Sequence, residues 1–483
     1  MQIDPSQLNA IVDRVVANLS QQAGKKVDKQ EPPKAVGKPS GDMDFQSTAG
    51  VFPDIDSAIK ALQRANLDYQ DISIDKRKKI IQAIRDICRE NLHEMSRFAV
   101  EETKMGRYED KVQKNLLAIE KTPGVEDVEA RAYSGDHGLA LQEPAPFGLI
   151  GAITPCTNAT ETLICNGIGM LAGGNVAVFN PHPSAKKSAA YVVGLFNKAI
   201  ISAGGPPNIL VTVANPTVDS AQYMMKHPDI RLVVVTGGPA VVKVAMNSGK
   251  RVVAAGPGNP PVVVDETADI EKAGRDIVKG GGLDNNIICV IEKEIVAVHK
   301  IADSLKEALV AGGAVELNGL QAQRLEKVIL EPGGKAPNKK WVGKDIQLIL
   351  KEIGMEVGPE KRIAFAEVPA DHPFATVEML LPVLGFVRAK NVDEAINIAY
   401  KLEDGCFHTA GMHSRNIENL HKMARKMNTS IFVKNAPFYA GLGMGGEGPA
   451  SFTIASPTGE GLTTARHFTR MRRCVVAGYF RIT

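Results

Sequence analysis

A chain of 483 residues, 44% of them apolar, carries enough core material for more than one domain. Its 57 basic and 54 acidic residues leave a net charge of +3, with a single Trp, which excludes a broad basic field or a stacking platform for nucleic acid. No run of about 18 apolar residues suits a membrane span, no basic-then-apolar start marks a secretory leader, and the 6 cysteines are scattered without a CxxC, against a zinc site or a disulfide framework and for a reducing cytoplasm.

In chain order, residues 1–19 read as a small amphipathic helix. Leu8, Ile11, Val12, Val15, Val16 and Leu19 recur on one face, after the start signal Asp4-Pro5. Residues 20–43 are rich in Lys, Pro, Gly and Gln and read as a disordered linker. A short helix on such a tether suits a groove on a partner. Helical patterns follow over 54–66, 73–91 and 99–119, and 130–142 reads as an extended arm.

Short apolar strands then alternate with helices. Strands are expected at 147–154, 175–179, 209–213, 231–236, 251–254 and 261–265, with helices at 161–171, 184–203 and 220–226 between the first of them. This alternation predicts right-handed βαβ crossovers and a parallel, Rossmann-type sheet, with a dinucleotide at the carboxyl ends of its strands. The Gly237-Gly238 turn leaves a strand and opens a helix, so it offers backbone N–H groups to a phosphate, although no full GxGxxG is present. A second α/β domain is expected over 266–448. It has helices at 269–279, 300–311, 319–330, 345–353, 391–402 and 416–427, and strands near 383–387 and 430–433. The loop Tyr439 to Gly448 is too glycine-rich for either element, and is either a surface loop or a lid that lets backbone approach a ligand. Residues 463–473 gather Arg466, His467, Arg470, Arg472 and Arg473, as a basic patch or a subunit-contacting strand.

Within the second domain, Gly280 to Val290 runs as a glycine turn, then small polar residues, then Cys289 at the entry to an apolar, strand-like run ending at Val298. Reactive side chains are often placed on such loops. By itself Cys289 reads first as a small buried hydrophobe, and only its neighbours in the chain reverse that weighting.

The order of these segments resembles the aldehyde dehydrogenase superfamily over residues 45–483. The motifs are Phe147-Gly148-Leu149-Ile150-Gly151-Ala152-Ile153-Thr154-Pro155, then Val235-Thr236-Gly237-Gly238, the Cys289 loop, and Glu378-Met379-Leu380-Leu381-Pro382. Asp284-Asn285-Asn286-Ile287-Ile288-Cys289, the 440–448 glycine loop and Ser456-Pro457-Thr458-Gly459-Glu460-Gly461 look like one branch: the CoA-acylating aldehyde dehydrogenases of bacterial microcompartments.

The resemblance implies Cys289 as nucleophile and Asn158, or Thr157 one residue away, as a donor to the oxyanion. It implies cofactor contacts at Thr154, Pro155, Asn180, His182, Thr236, Gly237, Gly238 and Glu378, the last on the nicotinamide ribose. It further implies NAD, with NADP open because Asn180 replaces a usual lysine, and coenzyme A as co-substrate. No metal is required. Hydrolytic relatives carry a general-base glutamate where this chain has Ala254, so CoA rather than water is expected to take the acyl group. Domains follow as 1–19 targeting helix, 20–43 linker, 44–265 cofactor domain with an oligomerisation arm at 124–145, 266–448 catalytic domain, and 449–483 returning to the cofactor and oligomerisation region. The implied substrate is a short-chain aldehyde such as propionaldehyde or acetaldehyde. The implied setting is the cytoplasm, inside a microcompartment, as a homodimer or homotetramer docked to shell proteins through the N-terminal helix, with no nucleic acid and no membrane. A hydrolytic aldehyde dehydrogenase, a non-catalytic cargo or scaffold protein, and an acyl-phosphate reductase stand as the other readings.

Overall fold

Two parallel sheets, a three-stranded antiparallel sheet and the short antiparallel pair Ile454–Ala455 with Gly461–Leu462 organise the described residues. The computed structural model describes residues 48–482, so the expected helix 1–19 and linker 20–43 lie outside the described residues.

The first sheet has six parallel strands in the order Val51–Phe52, Leu210–Val213, Val176–Pro181, Leu149–Thr154, Leu232–Thr236, Arg251–Ala255. After the edge strand Val51–Phe52 the chain enters the middle at Leu149–Thr154, winds outward through 176–181 to 210–213, then crosses back to 232–236 on the other side. The direction of winding reverses between Leu149–Thr154 and Leu232–Thr236. A crevice opens at the carboxyl ends of strands flanking such a reversal, and here those ends are Thr154 and Thr236. Every residue of these two strands is buried, so they read as continuous apolar runs rather than alternating ones.

The second sheet has seven parallel strands in the order Ala314–Leu317, Ile363–Glu367, Val383–Ala389, Glu294–Val298, Pro261–Val264, Thr409–His413, Ile431–Lys434. Pro261–Val264 therefore belongs here, paired with Glu294–Val298 and Thr409–His413. The strand expected to close the first sheet thus pairs in the second, and the 256–260 turn carries the chain from one sheet to the other. An apolar run marks a strand but not its sheet. Gly385, which weakens the strand signal at 383–387, is needed for close approach: a Cβ there would lie 2.8 Å from the Phe374 carbonyl oxygen.

The third sheet is antiparallel. Arg131–Gly135 and Gly138–Pro146 form a hairpin, and the C-terminal strand Thr469–Ala477 pairs along the full length of Gly138–Pro146. The arm thus extends to Pro146, and its expected extended stretch is two strands. In the C-terminal segment Arg466 is committed to Asp127 at 2.5 Å rather than free for phosphate.

The helical lead-in is interrupted where one helix was expected over 99–119. Leu92–Thr103 ends at Lys104 in a left-handed conformation (φ 58°), and Tyr108–Lys121 starts anew after Gly106 (φ 77°). Glycine is required at 106 because a Cβ would lie 2.0 Å from Asp284 Oδ1. The break lets the chain pass against the cysteine loop. All six cysteines are unpaired, and among the described residues no helix is long and apolar enough to cross a membrane.

Candidate active site

At the reversal point of the first sheet lies a cleft of about 470 Å³. It is lined by Cys289, Asn158, Thr154, Pro155, Asn180, His182, Thr236, Gly237, Gly238 and Glu378, together with Thr157, Cys156 and the Gly256-Pro257 turn. Residues spread over more than 200 positions of sequence, and named from the sequence as one site, share one set of walls. None of the residues Tyr439 to Gly448 lines it; Lys121 Nζ instead donates to the carbonyls of Gly443 (2.6 Å) and Gly446 (2.8 Å).

Cys289 sits in a turn five residues before the strand Glu294–Val298, half-buried, with its neighbours Ile288 and Val290 fully packed. Burial pushes its thiol up to about 12; the Glu378 carboxylate adds to this and Lys293 opposes it. Lys293 is buried four residues on, donates to Asn286 O (2.6 Å) and Asn286 Oδ1 (2.7 Å), and is pushed down to about 8 by burial. Glu378 accepts from Gly258 N at 3.3 Å, and burial raises its carboxyl.

The segment before Cys289 has an uncommon backbone. Asp284, Asn285 and Asn286 are consecutive left-handed residues (φ 50°, 54° and 65°), all buried. Asn and Asp tolerate this region better than other non-glycine residues because their short polar side chains bond locally. Here Asn286 Nδ2 donates to Gly281 O and Glu292 O, and Asn285 Nδ2 donates to Gly343 O.

Opposite, the strand Leu149–Thr154 ends in Pro155, and Asn158 caps the helix Ala159–Ala172. The Asn158 side chain does not bond to that helix's backbone. Its Oδ1 is buried without a partner, and its Nδ2 has only a long contact, 3.4 Å, to Thr157 Oγ1. Thr154 Oγ1 is likewise buried and unpartnered. Unfilled polar capacity on a cleft wall fits a bound polar ligand, since unpaired buried groups are otherwise costly.

The dinucleotide fit is testable on the third wall. Gly238 caps the helix Pro239–Met246 with no side-chain hydrogen bond, so the first-turn N–H groups of Ala240 and Val241, both on the cleft, remain available to a phosphate. A Cβ on Gly238 would meet nothing within 4 Å, so the approach there is open. Thr236 Oγ1 bonds to Thr453 Oγ1 (2.8 Å), which bonds on to Asn166, anchoring the strand end to the C-terminal segment. At the far end Asn180 Oδ1 accepts from Ser220 Oγ (2.6 Å), and His182 Nδ1 caps Ser184 N; burial and Lys339 hold the His182 imidazole below its usual range.

No sequence signal marked the groups behind the cleft. His408 is fully buried beside the cysteine turn: a Cβ on Gly258 would lie 2.8 Å from its ring and 3.0 Å from the Cys289 carbonyl oxygen. Its Nδ1 pairs with Thr409 Oγ1, its Nε2 has no partner, and burial holds it down to about 4. Lys111, Lys114 and Glu161 form a buried ionic cluster with Asp284.

A parallel-sheet crevice with a cysteine, an amide and a carboxylate on its walls defines a cysteine-dependent dehydrogenase of the α/β class. The aldehyde dehydrogenase family profile matches residues 35–315. The acetylating acetaldehyde dehydrogenase of Salmonella typhimurium is 49% identical over 438 residues, which is 90% of this chain and 93% of that protein. The CoA-propanoylating propanal dehydrogenase of Salmonella typhimurium is 45% identical over 435 residues, 90% and 93% of the two chains. The structure of Rhodopseudomonas palustris propionaldehyde dehydrogenase with bound CoA and an acylated cysteine superposes with a TM-score of 0.87 at 50% identity, covering 89% of this chain and 98% of that one. The chain belongs to the aldehyde dehydrogenase family.

Proposed function

We propose that this protein is a CoA-acylating aldehyde dehydrogenase, oxidising a short-chain aldehyde to its acyl-CoA with reduction of NAD or NADP. The observation that carries this reading is the shared cleft of Cys289, Asn158, Glu378 and the 236–238 turn, with Ala254 where a hydrolytic relative has its base.

The Cys289 thiolate attacks the aldehyde carbon, and the oxygen takes the negative charge. The Asn158 amide and the Cys289 backbone N–H hold that oxygen, so charge develops against donors already in place. The nicotinamide supplies a hydride acceptor. Hydride leaves the hemithioacetal carbon, the C–O bond becomes a carbonyl, and a thioester remains on Cys289. Lys293 stands behind the turn as a buried cation that favours the thiolate. Glu378 holds the ribose side of the cleft.

With alanine at 254 the first sheet presents no carboxylate there to deprotonate water. The CoA thiol, partly thiolate at neutral pH, attacks the thioester carbonyl instead and releases Cys289. Relatives set the range of the remaining features. A propionaldehyde dehydrogenase from the fucose utilisation microcompartment of Clostridium phytofermentans is 49% identical with a TM-score of 0.88, and an engineered glycolyl-CoA reductase of the same identity carries bound NADP+. These support a microcompartment setting and use of either dinucleotide, while docking through residues 1–19 rests on their amphipathic sequence pattern.

The test is NADH formation from propionaldehyde or acetaldehyde and NAD, with and without CoA. The expected result is steady turnover only with CoA, acyl-CoA as product, and none in the Cys289→Ala variant. Steady CoA-independent turnover to the carboxylate would overturn the acylating reading, and turnover by Cys289→Ala would remove the nucleophile.

A further inference from the structure

The helix Tyr108–Lys121 runs behind the cleft and buries charged side chains where a helix normally buries apolar ones. Lys111 and Lys114 are 1% and 0% exposed. Both ammonium groups reach the Asp284 carboxylate, at 2.9 and 2.5 Å. Asp284 also accepts from Arg107 N at 2.9 Å and opens the three-residue left-handed run that leads to Cys289.

Each lysine has a second attachment, on the opposite wall. Lys111 Nζ donates to the Thr157 carbonyl oxygen at 2.6 Å, one residue before Asn158. Lys114 Nζ lies 3.1 Å from Glu161 Oε1, in the first turn of the helix that Asn158 caps. Thr157 and Asp284 are 127 positions apart in sequence and Asn158 and Cys289 are 131, and among the described residues no strand pairing joins the two segments. These two lysines join them, through one carboxylate.

We propose that Lys111 is a positioning residue for the reaction, setting the Asn158 amide against Cys289 by tying the Thr157 carbonyl to the Asp284 carboxylate. The proposal rests on the acylating reading of the cleft, because it assigns Asn158 the oxyanion. The geometry is specific to Lys111 on that wall: its bond falls on the backbone beside Asn158, whereas Lys114 grips the helix one turn further on. A displacement of the amide by about 1 Å is enough to cost roughly a hundredfold in rate, since the donor must meet the oxygen where its charge develops.

The experiment is a double-mutant cycle on kcat for CoA-dependent NADH formation, with Lys111→Met and Asn158→Ala separately and together. Lys111→Met leaves a buried charge uncompensated, so the cycle is repeated with Lys111→Met/Asp284→Asn, which removes one charge of each sign and still cuts the Thr157 link. The expected result is a loss of about ten- to a hundredfold for either Lys111 change in the wild-type background, and less than about threefold when Asn158 is already Ala. Equal fold losses in both backgrounds would mean that Lys111 acts on folding alone and would overturn the proposal. So would full activity of the charge-balanced variant, or an Asn158→Ala variant that loses nothing. Wild-type turnover decides the acylating reading independently, because it is measured before either loss is compared.

Discussion

Burial is the main influence on the Cys289 thiol, and two neighbours of opposite sign, Glu378 and Lys293, adjust it. The thiol is pushed up to about 12 by burial and Glu378, with Lys293 opposing. At pH 8 that leaves about one thiol in ten thousand as thiolate, against about a quarter for a free cysteine near 8.5. The rare thiolate is intrinsically stronger, by about thirtyfold at a Brønsted slope near 0.45. The net expectation is alkylation by iodoacetamide roughly a hundredfold slower than for free cysteine, rising with pH up to at least pH 10. Glu378→Gln removes the anion and speeds the reaction at pH 8; Lys293→Met removes the cation and slows it. The assay follows modification of the Cys289 peptide by mass spectrometry, because exposed Cys474 reacts first and would dominate a bulk thiol reading. A rate that levels off below pH 9, or two variants that shift in the same direction, would refute the argument that burial and these two charges control the thiol.

Two further outcomes follow from groups packed behind the turn. His408 is buried neutral and held down to about 4, so between pH 6.5 and 4 the unfolded chain binds a proton that the folded one refuses, and stability falls as pH falls through that window. The loss amounts to about 3 kcal/mol by pH 4, and His408→Gln should flatten that part of the curve in denaturant titrations at pH 7 and 4.5; an unchanged slope would show that His408 is not the titrating group. Gly258→Ala places a Cβ 2.8 Å from the His408 ring and 3.0 Å from the Cys289 carbonyl oxygen, which is backbone and yields little. It should cost about 1–3 kcal/mol in denaturant midpoint and at least tenfold in kcat, and wild-type values for both would mean that the turn is looser than its packing implies.

What the sequence discloses and what it conceals divide along physical lines. Thr154, Thr236 and the Gly237-Gly238 turn are legible because short apolar runs ending in glycine or proline mark strand ends, and the winding order then brings those ends together. Cys289 is legible through its glycine turn and the motif around it. The strands Ile363–Glu367 and Thr409–His413 carry weaker signals, since central parallel strands lack alternation and Gly411 interrupts one of them, and Ala314–Leu317 is an edge strand of only four residues. Pro261–Val264 is legible as a strand but not as a member of the second sheet, because pairing partners are chosen by tertiary packing. Lys111 and Lys114 are the hardest case. Charges three apart on a helix normally face water, and their partner Asp284 lies 170 or more positions away.

Those concealed groups show how polar capacity is distributed around the nucleophile. Burying four ionisable side chains is costly unless each is paired, and removing one partner of a buried ion pair typically costs about 3–5 kcal/mol. Behind the two loops the capacity is filled: Asp284 accepts from two ammonium groups and a backbone N–H, and Asn286 uses its amide on two carbonyls. In front of them it is open: Asn158 Oδ1 and Thr154 Oγ1, on residues that line the cleft, have no partners. A filled network has one arrangement of low energy and so fixes the loops it touches, whereas an open group gains most when a ligand supplies its missing partner. The rigidity that the chemistry needs and the affinity that it uses are therefore assigned to opposite faces of the same two loops.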